Sequence, residues 1–446
     1  MNGPASKDGL RVLHVPFTYF PDASGGTEVY VRGLAEGLAK IGFRSAIAAP
    51  GATAALYWQD GLEVHRFATD RSARLDQAYG APDEIAAEGF RAIVATTAPD
   101  IVHFHARTSA VSELLVDIAH RSGAKSIFTY HTPTASCVRG TMMLFGESPC
   151  DGALERRRCS ACVLAAHGVP KWAGALCASM PDWINSALAQ AAAGNKLATG
   201  LSIPSLIESA QSRFQLLMEK VDHVVAVCQW VYDLLLRNGV PASKITLSRQ
   251  GIFEGRTSVG AAAPRVAKTP LKLAYFGRID PAKGVDLLVQ ALALIPTAEV
   301  RLDCFAVNQS SDNAQLQWIS AQAARDSRIA LRPAVAPEDV QTAMTAYDLI
   351  AIPSRWLETG PLVALEAFAA GTPVLGANLG GIAELVRNGI DGLLVAPDDV
   401  AAWAGAISAL LDDPHRLEMM RAHICPPRTM RLVADEMAAL YERALA

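Results

Sequence analysis

The chain of 446 residues alternates short apolar, β-branched runs with helical patterns, and it does so in two series. Strand signals of the first series are Leu10 to Val15, Ser45 to Pro50, Glu63 to Ala68, Ile101 to His105, Lys125 to His131, Asp222 to Val227 and Ile245 to Arg249. Helical patterns separate several of them, at Pro82 to Thr97, Ser109 to Arg121 and Gln229 to Asn238. Alternation of this kind builds right-handed βαβ units and a mostly parallel, doubly wound sheet. Ligands of such sheets sit beyond the carboxyl ends of the strands. The stretch Gly255 to Pro270 has the small-residue and proline content of a linker, after which the pattern restarts at Leu271 to Phe276. It continues through Val300 to Ala306, Ile329 to Arg332, Leu349 to Ile352, Pro373 to Gly376 and Gly392 to Val395. An α/β chain of two Rossmann-like domains is therefore expected, residues 1–255 and 256–427, with the amphipathic tail 428–446 packing back on the first.

Composition narrows the class of partner. Half the residues are hydrophobic, 19% are charged and the net charge is −4, which fits a well-packed soluble enzyme and gives no footprint for nucleic acid. No apolar signal region opens the chain and no apolar run of about 18 residues crosses it, so a cytoplasmic location is expected. Arg156-Arg157-Arg158 leaves peripheral contact with anionic lipid on the cytoplasmic face open, although a short basic run is more often a solvated cluster.

The densest chemistry lies in 354–371, Ser-Arg-Trp-Leu-Glu-Thr-Gly-Pro-Leu-Val-Ala-Leu-Glu-Ala-Phe-Ala-Ala-Gly. A strand ending at Ile352, a turn-rich loop and a helix from Pro361 to Ala370 form a strand-loop-helix unit, with Pro361 marking the start and Gly371 the stop. Backbone N–H groups at such a start favour phosphate or carboxylate. A carboxylate beside them, Glu358, would be repelled by that anion unless it holds something else, such as sugar hydroxyls. Glu366 follows one and a half turns inside the helix. Arg278 and Lys283 flank the loop after Leu271 to Phe276, a fork and a point charge at the same sheet edge. His131 closes the Phe128-Thr-Tyr-His run at a strand end, and Gly25-Gly26 precedes the first helix, for which Thr27 is the expected N-cap.

Together these motifs resemble the retaining GT-B glycosyltransferases of the family 4 type, from about Leu10 to Leu445. The resemblance rests on Gly25-Gly26, His131, Gly277-Arg278 with Lys283-Gly284, Glu358 with seven residues before Glu366, and Gly380-Gly381 followed by Glu384. It implies two Rossmann-like domains facing a central cleft, with Arg278 and Lys283 neutralising the donor diphosphate. Glu358, with the backbone of Thr359, Gly360 and Leu362, would hold the donor sugar, and Glu366 the ribose. His131 would lie near the anomeric centre, and Gly25 and Gly26 near the phosphates. The implied activity moves a sugar from a UDP- or GDP-sugar to a hydroxyl of a polysaccharide, lipid-linked glycan or small molecule, with retained configuration and no catalytic metal. Gly360-Pro361 stands where many relatives have an aromatic residue and glycine, so one anion-site amide is missing. A sugar-nucleotide epimerase of the same fold, or a non-catalytic sugar-nucleotide-binding protein, is the alternative.

Cys137, Cys150, Cys159 and Cys162 fall in one loop-rich insertion at about 136–200, with Cys159-Ser-Ala-Cys162 spaced as a zinc knuckle. Four thiolates suit a structural zinc better than an iron–sulfur cluster, and disulfides or free thiols are the competing use. A branch of the same family with a four-cysteine insertion looks similar.

Overall fold

In the computed structural model, residues 9–22, 25–72, 74–191, 196–253, 270–306 and 313–446 are described; the expected linker core, 255–269, lies outside them. The chain forms two compact units, one of residues 1–249 and 431–446, the other of residues 250–430. The first unit thus begins and ends the chain, and its boundary falls six residues before the expected one.

The first unit is built on a sheet whose strands are β1 (Arg11–Val15), β2 (Arg44–Gly51), β3 (Ala55–Gln59), β4 (Leu62–Ala68), β5 (Ile101–Phe104), β6 (Lys125–Tyr130), β9 (His223–Ala226) and β10 (Ile245–Leu247). A separate two-stranded ribbon, β7 (Met143–Leu144) and β8 (Ser148–Pro149), lies between β6 and β9 in the chain. The main sheet runs β10-β9-β6-β5-β1-β2-β4-β3, parallel except where β3 pairs antiparallel with β4. Strands buried on both faces read as continuous apolar runs, and β1, β5 and β6 are almost wholly buried. The order reverses between β1 and β5, which is the switch point where such sheets bind ligands.

Local signals set the helix ends only in part. Asp83 caps the helix Glu84–Thr97 by accepting the N–H of Ala86. The first helix, Gly26–Ala39, is capped at Gly25 instead of Thr27, because Glu28 turns back to accept the Gly25 N–H at 3.1 Å. The insertion is more helical than its cysteine and glycine content suggested: Arg156–Ala166, Lys171–Ser179, Asp182–Ala191 and Lys196–Lys220 are helices.

The second unit holds a six-stranded parallel sheet of β11 (Leu271–Gly277), β12 (Val300–Ala306), β13 (Ile329–Arg332), β14 (Leu349–Ile352), β15 (Val374–Ala377) and β16 (Gly392–Val395), ordered β13-β12-β11-β14-β15-β16. This is the doubly wound order, with its switch point between β11 and β14. The loops after those two strands carry Arg278 with Lys283 and Glu358 respectively.

Where the chain enters and leaves this unit the two passes are tied: Ile252 N–H donates to Arg428 O at 2.9 Å and Met430 N–H to Ile252 O at 2.7 Å. Gly251 permits it, since a Cβ there would stand 2.6 Å from the Thr429 carbonyl. The last helix, Met430–Leu445, then packs on the first unit, burying Val433, Met437, Leu440 and Tyr441. The Tyr441 hydroxyl lies 2.6 Å from Nδ1 of His103 on β5. Both groups are fully buried. Tyr441→Phe leaves that nitrogen without its partner, and we expect a loss of about 1–3 kcal/mol in urea unfolding with little change in shape.

Candidate active site

In the second unit the loop after β14 is organised by one buried carboxylate. Glu358 is 7% exposed, not the solvated loop acid that its setting in a turn suggests. Its Oε1 accepts from Lys283 Nζ at 2.6 Å, Trp356 Nε1 at 2.6 Å and Ser354 Oγ at 2.9 Å. Lys283 Nζ also stands 4.9 Å from the Trp356 ring centroid, a cation–π contact. Three donors on one oxygen offset the loss of water around a buried charge. The lysine and the carboxylate thus meet at the switch point, one from each loop.

Arg355 locks the two loops together. Its guanidinium makes a fork to Asp286 at 2.7 and 2.8 Å and reaches Asp398 at 2.6 Å, and the Arg355 backbone N–H donates to Ala282 O at 2.8 Å. Two glycines supply clearance. Gly284 has φ +69° and a Cβ there would be 2.0 Å from Pro353 O. At Gly381 a Cβ would be 2.5 Å from Gly360 N, while its own N–H donates to Glu358 O at 2.6 Å. Gly380-Gly381 therefore serves close backbone packing against the Glu358 loop.

Arg278 is exposed after β11, Thr359 is buried, and Gly360 adopts φ +126°. The helix is Leu362–Ala369, with Pro361 as N-cap one position earlier than the first helical residue. Glu366 is half-buried on it, and Leu362 packs against Ile252, Leu365 and Ala369.

In the first unit His131 follows β6 and is 5% exposed. It stands in a cluster of four buried imidazoles with His14 on β1, His103 on β5 and His105 just beyond it. Its ring stands edge-on to Tyr30, whose helix opens at Gly25-Gly26, with centroids 4.7 Å apart. Sequence reading singled out His131 alone; the missed signal was a histidine in β1 and a His-x-His at the end of β5, strands adjacent in the sheet. Burial pushes His14 and His131 down to about 3 and His103 and His105 well below the ordinary histidine range.

The four insertion cysteines are free and line one cavity of about 40 Å³ with Met142, Val163 and Ile207. Cys159 and Cys162 lie a turn apart on the helix Arg156–Ala166 and do not form a knuckle loop. Cys162 Sγ accepts from Phe145 N–H at 3.1 Å and from Arg139 at 3.7 Å, and Arg158 stands 4.0 Å from Cys150 Sγ. Among the described residues only His14, His103 and His105 gather three ligand atoms within 4.8 Å, so the sulfurs stand wider apart than in a closed tetrathiolate.

With this geometry in view, the comparisons define the class. Residues 25–199 match the Glycosyl transferase 4-like domain and residues 261–424 match Glycosyl transferases group 1. Together the two matches support a GT-B chain of the family 4 type, and the fold is GT-B. A D-inositol 3-phosphate glycosyltransferase of Nocardia farcinica is 38% identical over 156 residues, 33% of this chain and 34% of that protein. A glycogen synthase of Mycobacterium tuberculosis is 33% identical over 211 residues, 46% of this chain and 49% of that protein. The matched stretches span half or less of these curated relatives. A sucrose-phosphate synthase structure from Thermosynechococcus elongatus shares the fold across 97% of this chain and 98% of that one, with a TM-score of 0.65 at 20% identity.

The histidine cluster makes the first unit acid-sensitive. The folded-state values lie below the 6.5 of an exposed imidazole, so between the two the unfolded chain binds more protons and stability falls as pH drops. The stability is complete above about pH 6.5 and is lost progressively toward pH 3. At pH 5 His14 and His131 each account for about 2 kcal/mol. Urea unfolding at pH 7 and pH 5 should show a loss of at least that size, and equal stabilities would contradict the burial of neutral rings.

Proposed function

We propose that the protein is a retaining glycosyltransferase that moves a sugar from a nucleoside-diphosphate-sugar to a hydroxyl acceptor without a catalytic metal. The observation that carries this reading is the Lys283–Glu358 pair, 2.6 Å apart at the switch point of the second sheet. A sugar diphosphate presents negative oxygens and neutral hydroxyls side by side, and it needs a cation and a hydrogen-bond acceptor side by side. Lys283, with Arg278, takes the diphosphate; Glu358, with the backbone of Thr359, Gly360 and Leu362, takes sugar hydroxyls, and Glu366 the ribose. Ser354, Trp356 and Arg355 hold the pair in place before substrate arrives, so little reorganisation is needed as charge develops on the leaving phosphate. The departing phosphate then takes the acceptor proton on the same face, which retains configuration. His131 serves the anomeric centre and the acceptor, and Gly25 and Gly26 the phosphates. The domain matches and the Glu-seven-Glu spacing support this reading over an epimerase.

The test is nucleoside diphosphate release from a panel of UDP- and GDP-sugars, with pooled acceptors and with or without brief EDTA treatment. Acceptor-dependent release from one donor, undiminished by chelation, is expected; donor binding without release from any of them overturns the proposal. Lys283→Ala should lower kcat/KM for the donor by about 2–5 kcal/mol of transition-state stabilisation, while circular dichroism stays unchanged. Unaltered kinetics would remove Lys283 from the site.

We also propose that Cys137, Cys150, Cys159 and Cys162 hold a structural zinc ion. Four thiols line one cavity, and N–H donors from Phe145, Arg139 and Arg158 already face two of the sulfurs; the sulfurs would have to draw together around the ion. Bound there, zinc would cross-link the loop after β6 to the helix Arg156–Ala166. Elemental analysis of protein purified without added metal should find about one zinc per chain, lost in Cys159→Ser; neither zinc nor iron would overturn this.

A further inference from the structure

Three of the four clustered imidazoles form a single line of hydrogen bonds that the reading above leaves unused. His14 Nδ1 lies 3.1 Å from His105 Nε2, and His105 Nδ1 lies 3.0 Å from His131 Nε2. At the far end His14 Nε2 is 3.4 Å from Ser45 Oγ on β2. The strands impose this arrangement. Register pairs His14 of β1 with His103 of β5, and His105, two residues on, returns to the same face beside them. Ring centroids are 5.4 Å apart for His14 and His105 and 5.3 Å for His105 and His131.

A neutral imidazole has one N–H and one lone pair, so a ring between two others must donate on one side and accept on the other. If His14 donates from Nδ1, His105 must carry its proton on Nδ1 and donate to His131, which then carries its own on Nδ1. If His131 donates from Nε2, the same logic puts the proton on Nε2 of all three rings, and His14 donates to Ser45. Mixed sets place two protons or two lone pairs face to face. Burial keeps the rings neutral, which closes the third option of a shared cation.

A metal ion is the rival explanation for rings so close, since His14, His103 and His105 bring ligand atoms within 4.8 Å of one another. The hydrogen bonds account for that spacing. Both nitrogens of His103 are 2.6 Å from hydroxyls, of Tyr441 and Thr129, and the facing nitrogens of His14 and His105 are bonded to each other.

We propose that His14 and His105 are positioning residues that fix the tautomer of His131 through this three-ring chain. The choice made at His14 decides whether His131 offers a proton or a lone pair on Nδ1, without a net charge appearing in the unit. The catalytic consequence rests on the role given to His131 above; the tautomer chain does not.

The test is long-range ¹H–¹⁵N correlation of the imidazoles in the full chain labelled on histidine, at pH 7. Expected is one common tautomer for His14, His105 and His131, and a changed or mixed tautomer at His131 in His14→Phe. Cationic rings, a mixed set in the unmodified protein, or a His131 signature unmoved by His14→Phe would overturn the proposal. So would one metal ion per chain that is lost on His103→Ala. The unmodified protein supplies the first result even where the variant does not fold. In turnover, His14→Phe should lower kcat roughly tenfold or more and leave the donor KM unchanged. If the unmodified protein transfers no sugar, the functional reading fails while the spectroscopic result still decides the chain.

Discussion

A carboxylate taken out of water must find donors, and in the second unit Glu358 finds them on both sides of the sheet's switch point. Because Lys283 comes from the loop after β11 while Ser354 and Trp356 come from the loop after β14, satisfying one oxygen fixes two loops. The rest of the local structure follows from that demand. Arg355 binds Asp286 with its fork, Gly284 yields room to the Pro353 carbonyl, and Gly381 approaches the Glu358 backbone as no other residue could. The pair is a stored geometry, held by packing around it and by the strand order beneath it.

The first unit meets the same physical problem with neutral groups. Four imidazoles at a sheet's switch point are tolerable in a dry interior because each nitrogen facing another is matched with it, and because Thr129 and Tyr441 serve His103. That solution is sensitive to proton supply, because the rings must stay neutral to remain buried.

Much of this was legible in the sequence. Strand and helix alternation identified both sheets, because parallel strands covered on two faces must be apolar throughout. The spacing of Glu358 from Glu366 and the basic residues after β11 pointed to the two loops where Lys283 and Glu358 meet. Side-chain partners were less legible. Ser354, Trp356 and Arg355 lie in a loop without periodicity, and their roles appear only once the two strands become neighbours. His14, His103 and His105 read as strand residues, since nothing in one strand reveals what stands beside it. Gly25 displaced Thr27 as the cap because Glu28, three positions on, reaches the Gly25 N–H. The insertion's cysteines and glycines concealed four helices, of which Arg156–Ala166, Lys171–Ser179 and Lys196–Lys220 bury apolar residues against one another.

The return of the last helix to the first unit bears on how the molecule is made. His103 and Tyr441 are 338 residues apart, yet they share a buried hydrogen bond. On a ribosome the chain emerges from its N-terminus, so the first sheet is synthesised long before its final helix exists. The second unit, continuous in sequence, can close as soon as its strands are out. The unit whose strands are translated earlier is therefore completed later, and its histidine-bearing interior waits for residues 431–446.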